Sequence, residues 1–161
     1  MQFFYDYECP FCKKGYEYLQ ELIGAHPEIE IEWLPVEIHP RPENSHPHTD
    51  LCCQGYYAAK ELGADIYSFH TTMFQAVAVE KRNVENIEVL TDTVKALVDT
   101  EKFRSILESG KYRSQAENNN ILAYEKSEVW YAPAFRMSGK KLDARGGVGV
   151  NREDLRKFLN G

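Results

Sequence analysis

No stretch of this 161-residue chain approaches the roughly 20 apolar residues that a membrane-spanning helix needs, so no such span and no membrane partner are expected. Clustered positive charge is also missing. Nineteen Lys and Arg are outnumbered by 25 Asp and Glu, for a formal charge of −6, and the basic residues gather in no run. A chain with no electrostatic footprint for a phosphate backbone is not expected to bind nucleic acid. The opening Met1-Gln2-Phe3-Phe4-Tyr5-Asp6 lacks the charged, apolar and small-residue regions of a secretory signal. As written, the expected location is cytoplasmic; a mature periplasmic or secreted form would read the same. Cysteine is scarce too, with four residues, too few for a disulfide-stapled mini-protein. A chain of this length buries about 70% of its unfolded surface, so it holds together without metal or disulfides. Its thiols are free for chemistry.

What is present is an alternation of strand and helix patterns. Gln2 to Tyr5 reads as a short strand. From Lys13 the apolar Tyr16, Leu19, Leu22 and Ile23 recur at helical spacing until Gly24, with Pro10 at the first helical position, where its missing N–H costs nothing. Glu28 to Trp33 alternates in polarity, predicting a half-buried strand with three glutamates on the wet face. Leu34 to Asp50 holds four of the seven prolines together with His39, His46 and His48, and reads as a boundary loop. A helical block follows: Asp50 as cap for Leu51–Leu62, and Asp65 as cap for a helix with Ile66, Phe69, Met73, Ala76 and Val77 on one face. Leu90, Val94, Leu97 and Val98 mark a third helix, and Phe103, Ile106 and Leu107 a short fourth ending near Gly110. Ser114–Lys126 predicts a polar helix despite Asn118-Asn119-Asn120. The chain ends in a hairpin, Ala134–Met137 and Leu142–Arg145 joined by a turn at Ser138-Gly139-Lys140, and a last helix capped by Asn151 that buries Leu155, Phe158 and Leu159.

The chemistry concentrates in Cys9-Pro10-Phe11-Cys12. A cysteine at a helix N-terminus has its thiolate stabilised by free backbone N–H groups and the positive end of the dipole. Cys9 has that position. Cys12, one turn on, is placed to close a small ring with it, so the first sulfur should exchange and the second resolve the mixed disulfide. Phe11 offers the thiolate neither charge nor hydrogen bond, Asp6 and Glu8 oppose it, and Lys13 and Lys14 favour it. Moderate activation is expected, with the Cys9 pKa below that of Cys12.

These residues resemble the thioredoxin superfamily, and within it the DsbA-like, FrnE-type thiol:disulfide oxidoreductases. Three matches carry the resemblance: Phe4 to Cys12 to the opening strand and active-site turn, the helical block from about Asp50 to Lys126 to the family's insert, and Val129-Trp130-Tyr131-Ala132-Pro133-Ala134-Phe135 to the segment bearing its cis-proline. The resemblance implies an α/β chain with a thioredoxin-like fold and an inserted all-helical domain. Residues 1–45 and 128–161 would form the core and 46–127 the insert. It implies disulfide exchange with protein or small-molecule thiols and disulfides. Cys9 and Cys12 would be catalytic, and Pro10, Phe11, Ala132 and a cis Pro133 would hold the substrate. No cofactor or metal is implied. Two positions depart from the pattern. Ala132 stands where valine or threonine is common, and Phe11 stands where DsbA has histidine, which argues against a strongly oxidising pair.

Other readings compete. A glutathione-dependent isomerase or transferase of the 2-hydroxychromene-2-carboxylate isomerase or kappa class shares the architecture, but typically has serine at the place of Cys9 and lacks the second cysteine. A zinc site could join Cys9 and Cys12 to Cys52, Cys53, His46 or His48, although adjacent helical residues point about 100° apart, awkward for a tetrahedron. Cys52 and Cys53 read best as small core residues, with a redox relay as the lesser possibility. The loop histidines read as solvated, with His39 or His46 overlooking the active site as the lesser possibility. Phe11, Trp130 and Tyr131 fit either packing or an apolar substrate groove.

Overall fold

Phe3, Phe4 and Tyr5 are fully buried in consecutive positions, as a strand covered on both faces requires. They form β1 (Gln2–Tyr5) at the centre of a four-stranded sheet in the computed structural model, which describes residues 1–161. β1 pairs in parallel with β2 (Glu32–Pro35) and antiparallel with β3 (Ala134–Met137). β3 pairs antiparallel with β4 (Lys140–Asp143), giving the order β2-β1-β3-β4. On one face Phe3 stacks on Phe135 at 4.6 Å and on Tyr5 at 4.8 Å. On the other, Phe4 packs with Leu34, Val36, Ala123, Val129 and Ala134.

Seven α-helices surround the sheet: α1 (Pro10–Ile23), α2 (Asp50–Glu61), α3 (Ile66–Phe74), α4 (Ile87–Val94), α5 (Thr100–Ser109), α6 (Arg113–Ile121) and α7 (Arg152–Leu159). The α/β class is as expected. One cluster of 25 buried residues runs without a break from Phe3, Tyr5, Tyr16 and Leu155 beside the sheet to Phe69, Phe74, Leu90 and Phe103 in the helical block.

Several boundaries differ from the sequence reading, each for a local reason. The β1–β2 ladder runs from Gln2–Glu32 to Tyr5–Pro35, so β2 is paired only over Glu32–Pro35, although Ile29 and Ile31 are half-buried as the alternation requires. Pro35 is tolerated because β2 is an edge strand. Asp50 lies inside the first turn of α2 and pairs with Arg41 at 3.2 Å, while Thr49 takes the cap position without a capping hydrogen bond. Asp65 and Asn151 cap α3 and α7 as expected, accepting from the Ser68 and Asp154 amides. α3 and α6 each run on into a five-residue π-turn, at 75–79 and 122–126. The hairpin turn falls at Ser138-Gly139, within the expected Ser138-Gly139-Lys140, and only the second strand differs, starting at Lys140 and not at Leu142. Ser138 and Gly139 both have positive φ, 51° and 78°, the two-residue turn whose twist matches the strands, so Met137 pairs with Lys140. The Asn-Asn-Asn run is no defect in α6. Asn119 is buried and donates to the Pro35 carbonyl at 2.9 Å, and Asn120 accepts from the Glu37 amide at 2.9 Å, tying the helix to the chain leaving β2.

Candidate active site

Because Pro10 opens α1, Cys9 falls at its N-cap with extended backbone (φ −79°, ψ 116°), and its sulfur stands where a serine or aspartate cap would place oxygen. The Cys12 amide donates to Cys9 Sγ at 3.4 Å. The Cys9 thiol is pushed down, chiefly by the hydrogen bond from the Cys12 thiol, with the Cys12 and Phe11 amides adding to it against burial and the Asp6 charge. Cys12 is fully buried. Burial, then Cys9, pushes its thiol up, although the Asp6 amide donates to its sulfur at 3.4 Å. Both residues are free thiols, Cys9 half-buried at the surface and Cys12 behind it. The order of their pKa values matches the expectation from the sequence.

Across from α1, the Ala132–Pro133 bond is cis and the Ala132 carbonyl lies 3.9 Å from Cys9 Sγ. The Pro133 carbonyl accepts from the Ala144 amide at 3.0 Å, whereas the Ala132 amide has no partner within the chain. Gly15 makes this approach possible: a Cβ there would stand 2.9 Å from Pro133 Cγ. The structure thus brings Cys9, Pro10, Phe11 and Ala132 to one cavity of about 530 Å³, with Ile38, Trp130 and Tyr131 in its walls. Trp130 is 81% exposed and Tyr131 59%, so neither serves as core packing. His39 and His46 also line this cavity, so they do overlook Cys9.

Other residues fall elsewhere. Cys52 and Cys53 are buried in α2, where burial pushes both thiols up. His48 is engaged at both ring nitrogens, with Glu85 at 2.8 Å and the Glu43 carbonyl at 2.6 Å. Among His, Cys, Asp and Glu, only His39, Glu43 and His46 come close enough as a group of three to share an ion, so the zinc set built on the cysteines does not assemble.

Asp6 does more than oppose the thiolate charge. Nearly fully buried at the end of β1, it accepts from the Glu8 amide at 3.1 Å and the Ile38 amide at 2.7 Å. Its own carbonyl accepts from the Cys9 amide at 3.2 Å. Asp6 therefore clamps the active-site turn to the segment after β2, and burial pushes its carboxyl up to about 6. Arg136 was likewise missed. It is buried at 9% exposure and donates twice to the Ser127 carbonyl, at 2.9 and 3.1 Å, fixing the stretch that leads to Trp130. An arginine in a strand pattern carries no sequence signal of its own for that role.

Known proteins share this architecture. The chain is 26% identical to the uncharacterized protein YwbO of Bacillus subtilis (strain 168) over 181 residues, 90% of each chain. Among solved structures it is similar to the cytosolic disulfide reductase DsbM of Pseudomonas aeruginosa (TM-score 0.72, 16% identity, 99% of this chain and 96% of that one). It is similar in nearly equal degree to a 2-hydroxychromene-2-carboxylate isomerase (TM-score 0.71, 14% identity, 99% and 92%). At such identities both are likenesses of fold, and of one fold that serves two chemistries. Residues 1–160 match the family described as the DSBA-like thioredoxin domain, and at that coverage the chain belongs to this family and has its thioredoxin-like fold.

Proposed function

We propose that the protein is a thiol–disulfide oxidoreductase of the FrnE type, in which Cys9 is the nucleophile and Cys12 the resolving thiol. One observation carries the reading: two thiols with opposite pKa shifts share one helix end, the lowered one facing an apolar cavity and the raised one behind it. In the reducing direction the Cys9 thiolate attacks one sulfur of a substrate disulfide. A Cys9–substrate disulfide forms, the substrate S–S bond breaks, and the departing thiolate takes up a proton. Cys12, deprotonated, then attacks Cys9 Sγ, closing the Cys9–Cys12 disulfide and releasing the second substrate thiolate. Two protein thiols are oxidised and one substrate disulfide is reduced; the oxidising direction is the reverse.

Ala132 and Pro133 position an extended substrate in this reading. The unpaired Ala132 amide supports it, since a peptide strand can hydrogen-bond there, with Pro10, Phe11, Trp130 and Tyr131 as its apolar bed. The substrates are protein or small-molecule thiols and disulfides. A core of 1–45 and 128–161 carrying a helical insert of 46–127 belongs to the same proposal, supported by strands drawn only from the two ends of the chain. The glutathione-dependent isomerase reading shares the fold but leaves Cys12 without a task. Trapping tests the proposal. Cys12→Ser should accumulate a mixed disulfide between Cys9 and a protein substrate, detected by mass spectrometry; failure to form it at Cys9 would overturn the assignment.

A further inference from the structure

The proline-rich loop between β2 and α2 carries two imidazoles and a carboxylate that thiol exchange does not use. His39 and His46 lie face to face, ring centroids 3.7 Å apart and planes 7° from parallel. Each Nδ1 approaches the same atom, Glu43 Oε2, at 3.4 Å. The other carboxylate oxygen, Oε1, accepts from both the amide and the hydroxyl of Ser45, which fixes the plane of the carboxylate. Oε2 itself is shielded from solvent and has no hydrogen-bond partner, so neither ring N–H is aimed at it. His48 braces the loop from behind through the Glu43 carbonyl and Glu85.

The spacing suits a cation better than an ion pair. Zinc binds imidazole nitrogen and carboxylate oxygen at about 2.0–2.1 Å, which sets neighbouring donors of a tetrahedron about 3.3 Å apart. Two of the three donor pairs already stand at 3.4 Å, and all three donors lie within 4.8 Å of one another. Because the in-plane Nδ1 lone pairs of two parallel rings do not converge, holding one ion requires these partly exposed imidazoles to rotate out of their stack. The Ser45 hydroxyl lies 3.0 Å from His46 Nδ1, a contact the ion would replace. A carboxylate whose second oxygen is held by an amide and a hydroxyl is oriented as outer-shell groups orient metal ligands.

We propose that His39, Glu43 and His46 form a binding site for a divalent transition metal, zinc(II) above all, with three protein donors and an open position toward the cavity shared with Cys9. The site is independent of thiol exchange and stands or falls separately. Its test is titration of the reduced full chain with Co²⁺, followed by competition with Zn²⁺. The expected result is one equivalent bound with visible d–d bands and no thiolate charge-transfer band, displaced by one equivalent of Zn²⁺. Binding should persist in the Cys9→Ser, Cys12→Ser variant. Glu43→Gln and His46→Ala should each weaken it at least as much as the ~100-fold that loss of an outer-shell group costs, with unchanged far-UV circular dichroism. Absence of binding at equimolar micromolar metal would overturn the proposal. So would a charge-transfer band that disappears with the cysteines, or affinity that survives both loop variants.

Discussion

The four cysteines divide into two pairs that the fold treats in opposite ways. Cys9 and Cys12 flank the first turn of α1, where the Cys12 and Phe11 amides converge on one sulfur that lines an open cavity. Cys52 and Cys53 lie in the first turn of α2, also near a helix start, yet both are buried and neither lines the cavity beside Cys9. Position near a helix N-terminus is therefore not enough to make a thiol reactive. The Cys9 thiol is lowered chiefly by the hydrogen bond from the Cys12 thiol, with the Cys12 and Phe11 amides that its cap position exposes adding to it against burial. At the α2 thiols burial dominates and raises them. Asp6 stands near both pairs and its charge pushes all four thiols up, so the difference between them arises from hydrogen bonds and exposure.

Substitution at each pair gives the widest separation. Cys9→Ser should lower reduction of a protein disulfide by at least about 1,000-fold, as removal of a nucleophile does. The double variant Cys52→Ala, Cys53→Ala should keep activity within about 2-fold; a large loss there would reveal a relay and break the comparison. Stability should respond the other way round. The α2 double variant should lose about 1–3 kcal/mol in urea unfolding, because its side chains are buried, whereas Cys9→Ser should change stability by less than about 0.5 kcal/mol.

Asp6 sharpens the comparison through pH. Its folded carboxyl titrates near 6 and an unfolded one near 3.8, so the folded state holds the proton longer. Ionising the buried Asp6 therefore adds no penalty well below pH 3.8 and progressively more as pH rises to 6, reaching about 3 kcal/mol. The advantage of Asp6→Asn over the natural protein should accordingly grow by roughly that amount between pH 4 and pH 7, measured by urea unfolding at each pH. His70 acts in the opposite sense. Buried among Trp33, Tyr5, Tyr7 and Tyr56, it is pushed down to about 3 from an ordinary 6.5, so the stability it confers is lost as pH falls below 6.5. In the natural protein the two effects oppose each other between pH 3.8 and 6; Asp6→Asn removes the first and leaves the second in place. A difference between the two proteins that is flat with pH would contradict the buried, proton-holding Asp6.

The smallest expected effect lies at the cavity wall. Trp130→Ala should reduce the rate with an unfolded protein disulfide by about 3- to 10-fold, the loss of one exposed aromatic contact. The rate with a small aromatic disulfide should change far less.

Much of this was legible in the chain. The Cys9-Pro10-Phe11-Cys12 turn, the capping residues Asp65 and Asn151, the hairpin and the helical block all follow from spacing and side-chain chemistry, because each is a local decision. What was not legible depends on residues far apart. Nothing in the loop reveals that His39 and His46 face Cys9, nor that Asp6 receives the Ile38 amide across 32 positions. Gly15 looks like an ordinary helical glycine until Pro133 packs against it. Asn119 looks like a weak helix former until Pro35 and Tyr57 claim its amide. The hairpin turn at Ser138-Gly139 was legible, but pairing follows it at once, so the second strand covers Lys140–Asp143 and not the apolar pattern of Leu142–Arg145.

The most direct measurement is a redox titration with alkylation and mass spectrometry, counting protected cysteines as the buffer runs from strongly reducing to oxidising. Cys9 and Cys12 should become protected together as one two-electron couple within the range of about −270 to −120 mV that separates thioredoxin from strong oxidants. Cys52 and Cys53 should remain thiols throughout. Independent oxidation of Cys9 and Cys12, or a couple formed by the α2 pair in their place, would contradict the account.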